Sequence, residues 1–250
     1  MEEKQVKVKS LQKAIQLLSC FTIEEPKLGV SELAKRTGLL KSTVHNMLST
    51  LEACAMIERT ADGKYTLGVR CLCLGSVYRM TRDSNKLIRT ALSELSEITG
   101  ETVNLAVCRG QDVIYLENIC PKASHLTLDY SGETAPLYCT GVGKSILAYL
   151  PKSQQEEVLK SKLIPFTHNT ITDPEELAKE LANIRKRGYA VDRAEHEYDI
   201  TCVAMAILNE FGVPVASVSV SGLEAHFTEE KIREFCKYLA KTAELVRMYL

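Results

Sequence analysis

The stretch SELAKRTGLLKSTVHNMLSTLEACAMIERTADGKYTLG, residues 31–68, decides the fold. A short helix is predicted from Ser31, a good N-cap, to Gly38, a residue suited to the position after a helix end. After the turn Gly38-Leu39-Leu40, Val44, Met47, Leu48 and Leu51 recur at the spacing of one buried helix face, so a second helix is predicted over Lys41 to Cys54. Met56 to Thr60 and Lys64 to Gly68 then read as two strands of a hairpin closed at Asp62-Gly63. Upstream, Leu11, Ala14, Ile15, Leu18 and Phe21 repeat at helical spacing, which predicts an amphipathic helix over 8–22 that ends before Pro26. Helix, helix-turn-helix and hairpin follow one another in the order of a winged helix.

The second helix of a helix-turn-helix enters the major groove, where amides and short polar side chains reach base edges and phosphates. Its outer face here carries Lys41, Ser42, Thr43, His45, Asn46, Ser49 and Thr50. Asn46 and His45 suit base edges, Ser42 and Thr43 suit phosphate oxygens beside the helix start, and Lys41 adds charge. Arg59 and Lys64 on the hairpin are placed for phosphate or the minor groove. Charge agrees with double-stranded DNA as the partner: residues 1–82 hold 13 Lys+Arg against 8 Asp+Glu (+5), and residues 83–250 hold 18 against 24 (−6). A winged helix also serves as a protein-binding module, and the salt dependence of duplex affinity separates the two readings.

Outward from this region, VRCLCLGSVYRMTRD (69–83) reads as a linker helix. The remainder, 84–250, alternates helices expected at 86–99, from Gly143 to Leu150, and at 153–160, 174–187 and 228–249. Strands are expected at 102–109, 112–120, 125–130, 189–193, 201–208 and 214–221, an α+β pattern with an antiparallel sheet. The organisation expected is therefore 1–68 as DNA-binding domain, 69–83 as linker and 84–250 as a second domain. With 250 residues, 45% of them hydrophobic and 25% charged, the chain has the composition of folded proteins with sizeable cores. Glu2 and Glu3 ahead of the first apolar stretch argue against a secretory signal, and no run of roughly 18 apolar residues could span a bilayer. A cytoplasmic location without membrane contact is expected.

Several chemistries find no support. GVGKS (141–145) imitates the end of a phosphate-binding loop, but Tyr138 stands where its first glycine is required. The nine cysteines include no CxxC pair or zinc-ribbon spacing, so most read as reduced, buried small residues, and no metal or other cofactor is expected. Sensing of redox state or metal through Cys71, Cys73, Cys108, Cys120, Cys139 or Cys202, with His125 or His196, is kept as the alternative. An enzymatic nucleophile at Cys202 or Ser219 near His196 lacks any elbow or triad signature.

Three stretches resemble the IclR family of bacterial transcriptional regulators: SELAKRTGLLKSTVHNMLSTLE (31–52) followed by KYTLG (64–68), APLYCTGVGKSILAYL (135–150), and GYAVDRAEHEYDITCVAMAI (188–207) with VASVSVSG (215–222). The resemblance implies a winged helix-turn-helix joined to a GAF-like effector domain, a regulator and not an enzyme. It implies repression as the default, and homodimers through the DNA-binding region that often pair into dimers of dimers. It further implies an effector that is a small organic or aromatic acid from a catabolic pathway. Family effector positions map onto Gly141, Val142, Asp192, Cys202, Ser219 and Ser221, with Leu128 and Ile200 as apolar neighbours. Ala55 departs from the family, which usually has glycine before the wing.

The residues add their own reason for such a pocket. Thr140-Gly141-Val142-Gly143 leads into a helix start, where backbone N–H groups suit a carboxylate and glycine permits close approach. Ser217, Ser219 and Ser221 alternate with Val218 and Val220, so the three hydroxyls line one strand face as a candidate ligand wall.

Overall fold

The computed structural model describes residues 6–23, 25–80, 84–121 and 130–250. The chain divides into two compact units, Met1–Arg82 and Asp83–Leu250.

In the first unit, α1 (Lys9–Leu18), α2 (Val30–Thr37) and α3 (Lys41–Ala53) precede the antiparallel hairpin β1 (Ile57–Arg59) and β2 (Tyr65–Leu67), and α4 (Val69–Met80) follows. Leu17, Phe21, Leu28, Leu33, Val44, Leu48, Ile57 and Tyr65 form its core. Val44 and Leu48 are the two fully buried positions of α3, as its apolar spacing requires, and Gly38 ends α2 at a φ of 69°. Three local expectations need correction. The α1 helix stops at Leu18, and its buried residue is Leu17, while Leu11 and Ile15 are exposed. Ser31 does not cap α2: the cap is Gly29, whose N–H donates to the Glu32 carboxylate at 2.6 Å. The hairpin is closed by Thr60 N–H donating to Lys64 O (2.9 Å), with Gly63 alone of the turn at positive φ, which makes a longer loop than a two-residue turn.

Ala55 sits where α3 stops. Met56 N–H donates to Leu51 O and Ala55 N–H to Glu52 O, each at 2.9 Å, a Schellman closure with Ala55 at φ 56°. A Cβ at left-handed φ is strained, and the carbonyl of Ala55 lies so close to Gly68 that a Cβ there would collide with it. Ala55→Gly should therefore raise stability by up to about 1 kcal/mol in urea unfolding, the relief of strain exceeding the added unfolded-state entropy. An unchanged or lower midpoint would contradict this account of the turn.

In the second unit, α5 (Ser84–Thr99) leads to β3 (Thr102–Arg109), β4 (Asp112–Ile119) and β5 (Thr134–Pro136). Next come α6 (Gly141–Leu147), α7 (Lys152–Lys160), α8 (Pro174–Arg187), β6 (Ala190–Arg193), β7 (Ile200–Leu208) and β8 (Pro214–Leu223), and α9 (Glu229–Arg247) closes the chain. The strands form one antiparallel sheet of order β5-β4-β3-β8-β7-β6. The α6 helix begins at Gly141, two residues earlier than expected, because Thr140 Oγ1 accepts from Gly143 N–H and caps it. The β5 strand was not foreseen, and the strand expected over 125–130 falls almost wholly outside the described residues.

Two cores lie on the two sheet faces because strand side chains alternate. Val103, Leu105, Val203, Val218 and Val220 pack with residues of α5 and α9 such as Leu92, Phe235 and Leu239. The opposite face is built from small residues, Ala106, Ala190, Cys202 and Ala204, and packs with Val142 and Ile146 of α6 and Leu177 and Leu181 of α8. Small strand residues and the glycines of α6 let helix and sheet approach closely: a Cβ on Gly141 would sit 2.7 Å from Cys202 Sγ. No described helix is long and apolar enough to cross a membrane.

Candidate functional site

The outer face of α3 presents Lys41, Ser42, His45, Asn46, Ser49 and Thr50 exposed, with Thr43 half-buried. The helix starts at Leu40 without a capping side chain, so the N–H groups of its first turn remain available to an anion such as phosphate. Ser49 and Thr50 donate their hydroxyls to the carbonyls of His45 and Asn46, each at 3.1 Å, which leaves those two side chains only as acceptors. Arg59 is exposed on β1 with its guanidinium 6.0 Å from the centre of the Tyr65 ring. Lys64 is turned toward α2, its Nζ 3.6 Å from Glu32 Oε2.

In the second unit, β-pairing assembles the residues of the expected pocket. Asp192 lies opposite Cys202, Cys202 opposite Ser221, and Ser219 opposite Asn104 of β3. Gly141 comes so close that a Cβ on it would sit 2.7 Å from Cys202 Sγ, Ser219 lies diagonal to Cys202 across the β7–β8 pair, and burial lifts that thiol to about 12. Ile200 shares the strand face of Cys202, two residues along, at the start of β7. Tyr115 of β4 and Tyr130 stand with ring centres 6.1 Å apart, and Tyr130 OH donates to Glu197 at 3.5 Å.

Asp192 is buried and accepts from Glu195 N–H at 2.7 Å. Desolvation, with the neighbouring Glu195 charge next, raises its carboxyl to about 7. A folded carboxyl raised in this way binds more protons than the unfolded chain does, so its contribution to stability falls as pH rises from the ordinary aspartate range toward 7.

Not every expected residue faces the pocket. Val142 points into the α6 core at 1% exposure, leaving only its backbone to offer. The Ser217 hydroxyl lies against Ser145 Oγ at 2.7 Å and donates to Met205 O at 3.1 Å beneath α6, so it is a packing group and not part of a ligand wall. Leu128 lies outside the described residues. Sequence reading overlooked Asn104 and Asn118, whose amides meet at 2.6 Å across β3 and β4. An asparagine inside an apolar strand, TVNLAV, was the available signal.

The competing chemistries lose ground. Lys144, which could have served a phosphate loop, is fully buried, ion-paired with Glu195 and donating to Val191 O at 2.8 Å. Burial pushes the thiols of Cys71, Cys108, Cys139 and Cys202 upward, away from the thiolate that sensing requires. Among the described residues no group of three metal-ligating side chains assembles. His196 faces Phe166 at 4.9 Å between ring centres and Glu197 Oε1 at 3.6 Å.

Comparison with known proteins agrees with this geometry. The IclR helix-turn-helix domain matches residues 10–61, and the family described as bacterial transcriptional regulator IclR C-terminal matches residues 80–248. The chain is 30% identical over 246 residues to the transcriptional repressor IclR of Escherichia coli strain K12, spanning 96% of this chain and 89% of that protein. It is also similar to the crystal structure of an IclR transcriptional regulator from Alicyclobacillus acidocaldarius (TM-score 0.87, 26% identity, 98% of this chain and 99% of that one). A third relative is an IclR homolog from Microbacterium hydrocarbonoxydans complexed with 4-hydroxybenzoate (TM-score 0.78, 25% identity, 96% and 98% of the two chains). A helix-turn-helix unit followed by an α+β unit with an antiparallel sheet, matched along nearly its whole length, places this chain in the IclR family of bacterial transcriptional regulators.

Proposed function

We propose that the chain is a ligand-responsive repressor of a catabolic operon that reads operator DNA with α3 and the wing and senses a small organic or aromatic acid in its C-terminal unit. Residues 1–68 are the DNA-binding domain, 69–83 the connecting helix and 84–250 the effector domain. Lys41, Ser42, Thr43, His45, Asn46, Ser49, Arg59 and Lys64 contact the duplex. Gly141, Val142 through its backbone, Asp192, Ile200, Cys202, Ser219 and Ser221, with Leu128, hold the effector. One observation carries the sensor reading: the start of α6 comes so close to β7 that a Cβ on Gly141 would sit 2.7 Å from Cys202 Sγ, and Ser219 lies diagonal to Cys202 across the β7–β8 pair, so a helix-start N–H and a hydroxyl flank one buried spot that suits a carboxylate oxygen. The acid bound by the M. hydrocarbonoxydans homolog belongs to the same chemical class.

The active form is a cytoplasmic homodimer, of the kind that in the family often pairs into dimers of dimers. Exposed Val8, Leu11 and Ile15 on one side of the α1 segment, and Leu72, Leu74 and Val77 on α4, supply apolar surface for association. Effector binding that favours one conformation of the C-terminal unit then shifts how the paired helix-turn-helix units meet the operator.

Two measurements test the halves separately. On an operator duplex selected from random-sequence DNA, Asn46→Ala should lose about 1–3 kcal/mol of specific binding, whereas Lys41→Ala should weaken all duplexes alike and lower the salt slope by about one. A salt-independent affinity of the wild-type protein would leave the helix-turn-helix without a DNA role. On the sensor side, a carboxylate beside Asp192 is repelled once that group ionises. Affinity for 4-hydroxybenzoate or another acid of a screened panel should fall as pH rises through about 7, and Asp192→Asn should flatten the profile. Parallel profiles in calorimetry would remove Asp192 from the site.

A further inference from the structure

A chain of side-chain hydrogen bonds crosses the sheet and ends at Ser219. The Thr102 hydroxyl donates to Cys120 Sγ at 4.0 Å, and the Cys120 thiol donates to Asn118 Oδ1 at 3.5 Å. Asn118 Nδ2 donates to Asn104 Oδ1 at 2.6 Å, and Asn104 Nδ2 donates to Ser219 Oγ at 3.5 Å. Every donor in the series points the same way. Asn104 and Ser219 are both buried, and register places Asn104 directly between Asn118 and Ser219. An amide has one donating and one accepting end, so fixing either end fixes the other.

We infer that Asn104 is a positioning residue that sets which ligands the pocket accepts. By donating to the Ser219 oxygen it leaves the Ser219 proton no partner on that side and holds it outward, as a donor toward the pocket beside Cys202. The pocket then selects a group that only accepts, a carboxylate, over one that must donate, such as a carboxamide. This rests on the effector-pocket reading above and adds the origin of its acceptor preference.

Aspartate at position 104 reverses the last link. Its oxygens only accept, so Ser219 donates back to it and presents lone pairs to the ligand. Asn118→Asp reverses the chain from one bond further away: Asn104 must turn its Nδ2 toward the new carboxylate, and its Oδ1 then takes the Ser219 proton. Asn118 is half-buried and two hydrogen bonds from Ser219, so it tests the relay without touching the ligand.

The experiment is calorimetric titration of the full chain with benzoate, benzamide, acetate and acetamide, with thermal unfolding recorded for each variant. Wild-type protein should bind at least one acid about tenfold or more tightly than its amide. Asn104→Asp should shrink that ratio about tenfold or more, and Asn118→Asp should shift it in the same direction. In a Ser219→Ala background neither substitution should change the ratio, which separates the relay from simple charge repulsion. If Asn104→Asp does not fold, Asn118→Asp carries the test. Equal losses for acid and amide, or a change of ratio that persists without the Ser219 hydroxyl, would overturn the inference while leaving the effector reading intact. A wild-type protein that binds none of the four probes nor any acid of the wider panel would instead overturn the effector reading on which it rests.

Discussion

Lys144→Ala should destabilise the C-terminal unit by about 3–5 kcal/mol at neutral pH, because it removes one partner of a buried ion pair and strands the other. Lys144 is fully buried on α6 and makes its contacts with Glu195 and with Val191 O at 2.8 Å. The Glu195 carboxylate is itself buried, and its Oε2 has no hydrogen-bond partner among the described residues. Burial is the largest influence on Glu195 and raises its carboxyl above the ordinary range, while Lys144 pulls it down. Without the lysine the folded-state value rises further. The native state then holds more protons than the unfolded state above the ordinary glutamate range, so the loss of stability grows as pH rises and shrinks as pH falls toward about 4.5. Urea unfolding between pH 5 and 8 reads this directly. A small loss independent of pH would show that the pair is solvated, and Lys144→Met with Glu195→Leu should recover most of the stability because no buried charge remains.

Gly143→Ala should lower the stability of the same unit by about 3 kcal/mol, at the upper end of what one added methyl does in a packed interior. Its Cβ would lie 2.6 Å from Leu137 O and 2.7 Å from Leu137 Cα, and backbone cannot yield as a flexible side chain does. The Thr140 hydroxyl that caps α6 would be 2.5 Å away, so the first turn of the helix would have to lift from the sheet. Gly75→Ala is the control. That glycine lies within α4 with nothing inside 4 Å of its would-be Cβ, so alanine there should stabilise by about 0.5–1 kcal/mol. Thermal unfolding of the two variants should move in opposite directions, and similar shifts would contradict the close-approach account of α6.

The winged-helix half was legible residue by residue because its signals are local. A helix face repeats within one window, Gly38 marks a turn by its own backbone freedom, and the exposed row from Lys41 to Thr50 follows from the same period that buries Val44 and Leu48. Where local signals conflicted, the reading slipped. Apolar residues on two faces of α1 do not say which face meets its own core, and Leu17 took the place assigned to Leu11 and Ile15.

By itself, then, the sequence determined the order of elements apart from β5, the alternation of Ser217, Ser219 and Ser221 on one strand face, and the misfit of GVGKS to a phosphate loop. Only the tertiary structure decided what those groups do. Register across β3, β8 and β7 buries Ser217 beneath α6, sets Ser219 diagonal to Cys202, and brings Asn104 and Asn118 into line behind it. The approach of α6 to the sheet gives Lys144 to Glu195, 51 residues away along the chain. Periodicity reports which face a side chain occupies, but a hydrogen-bond partner or a burial penalty depends on the group opposite, and that group is supplied by a distant part of the chain.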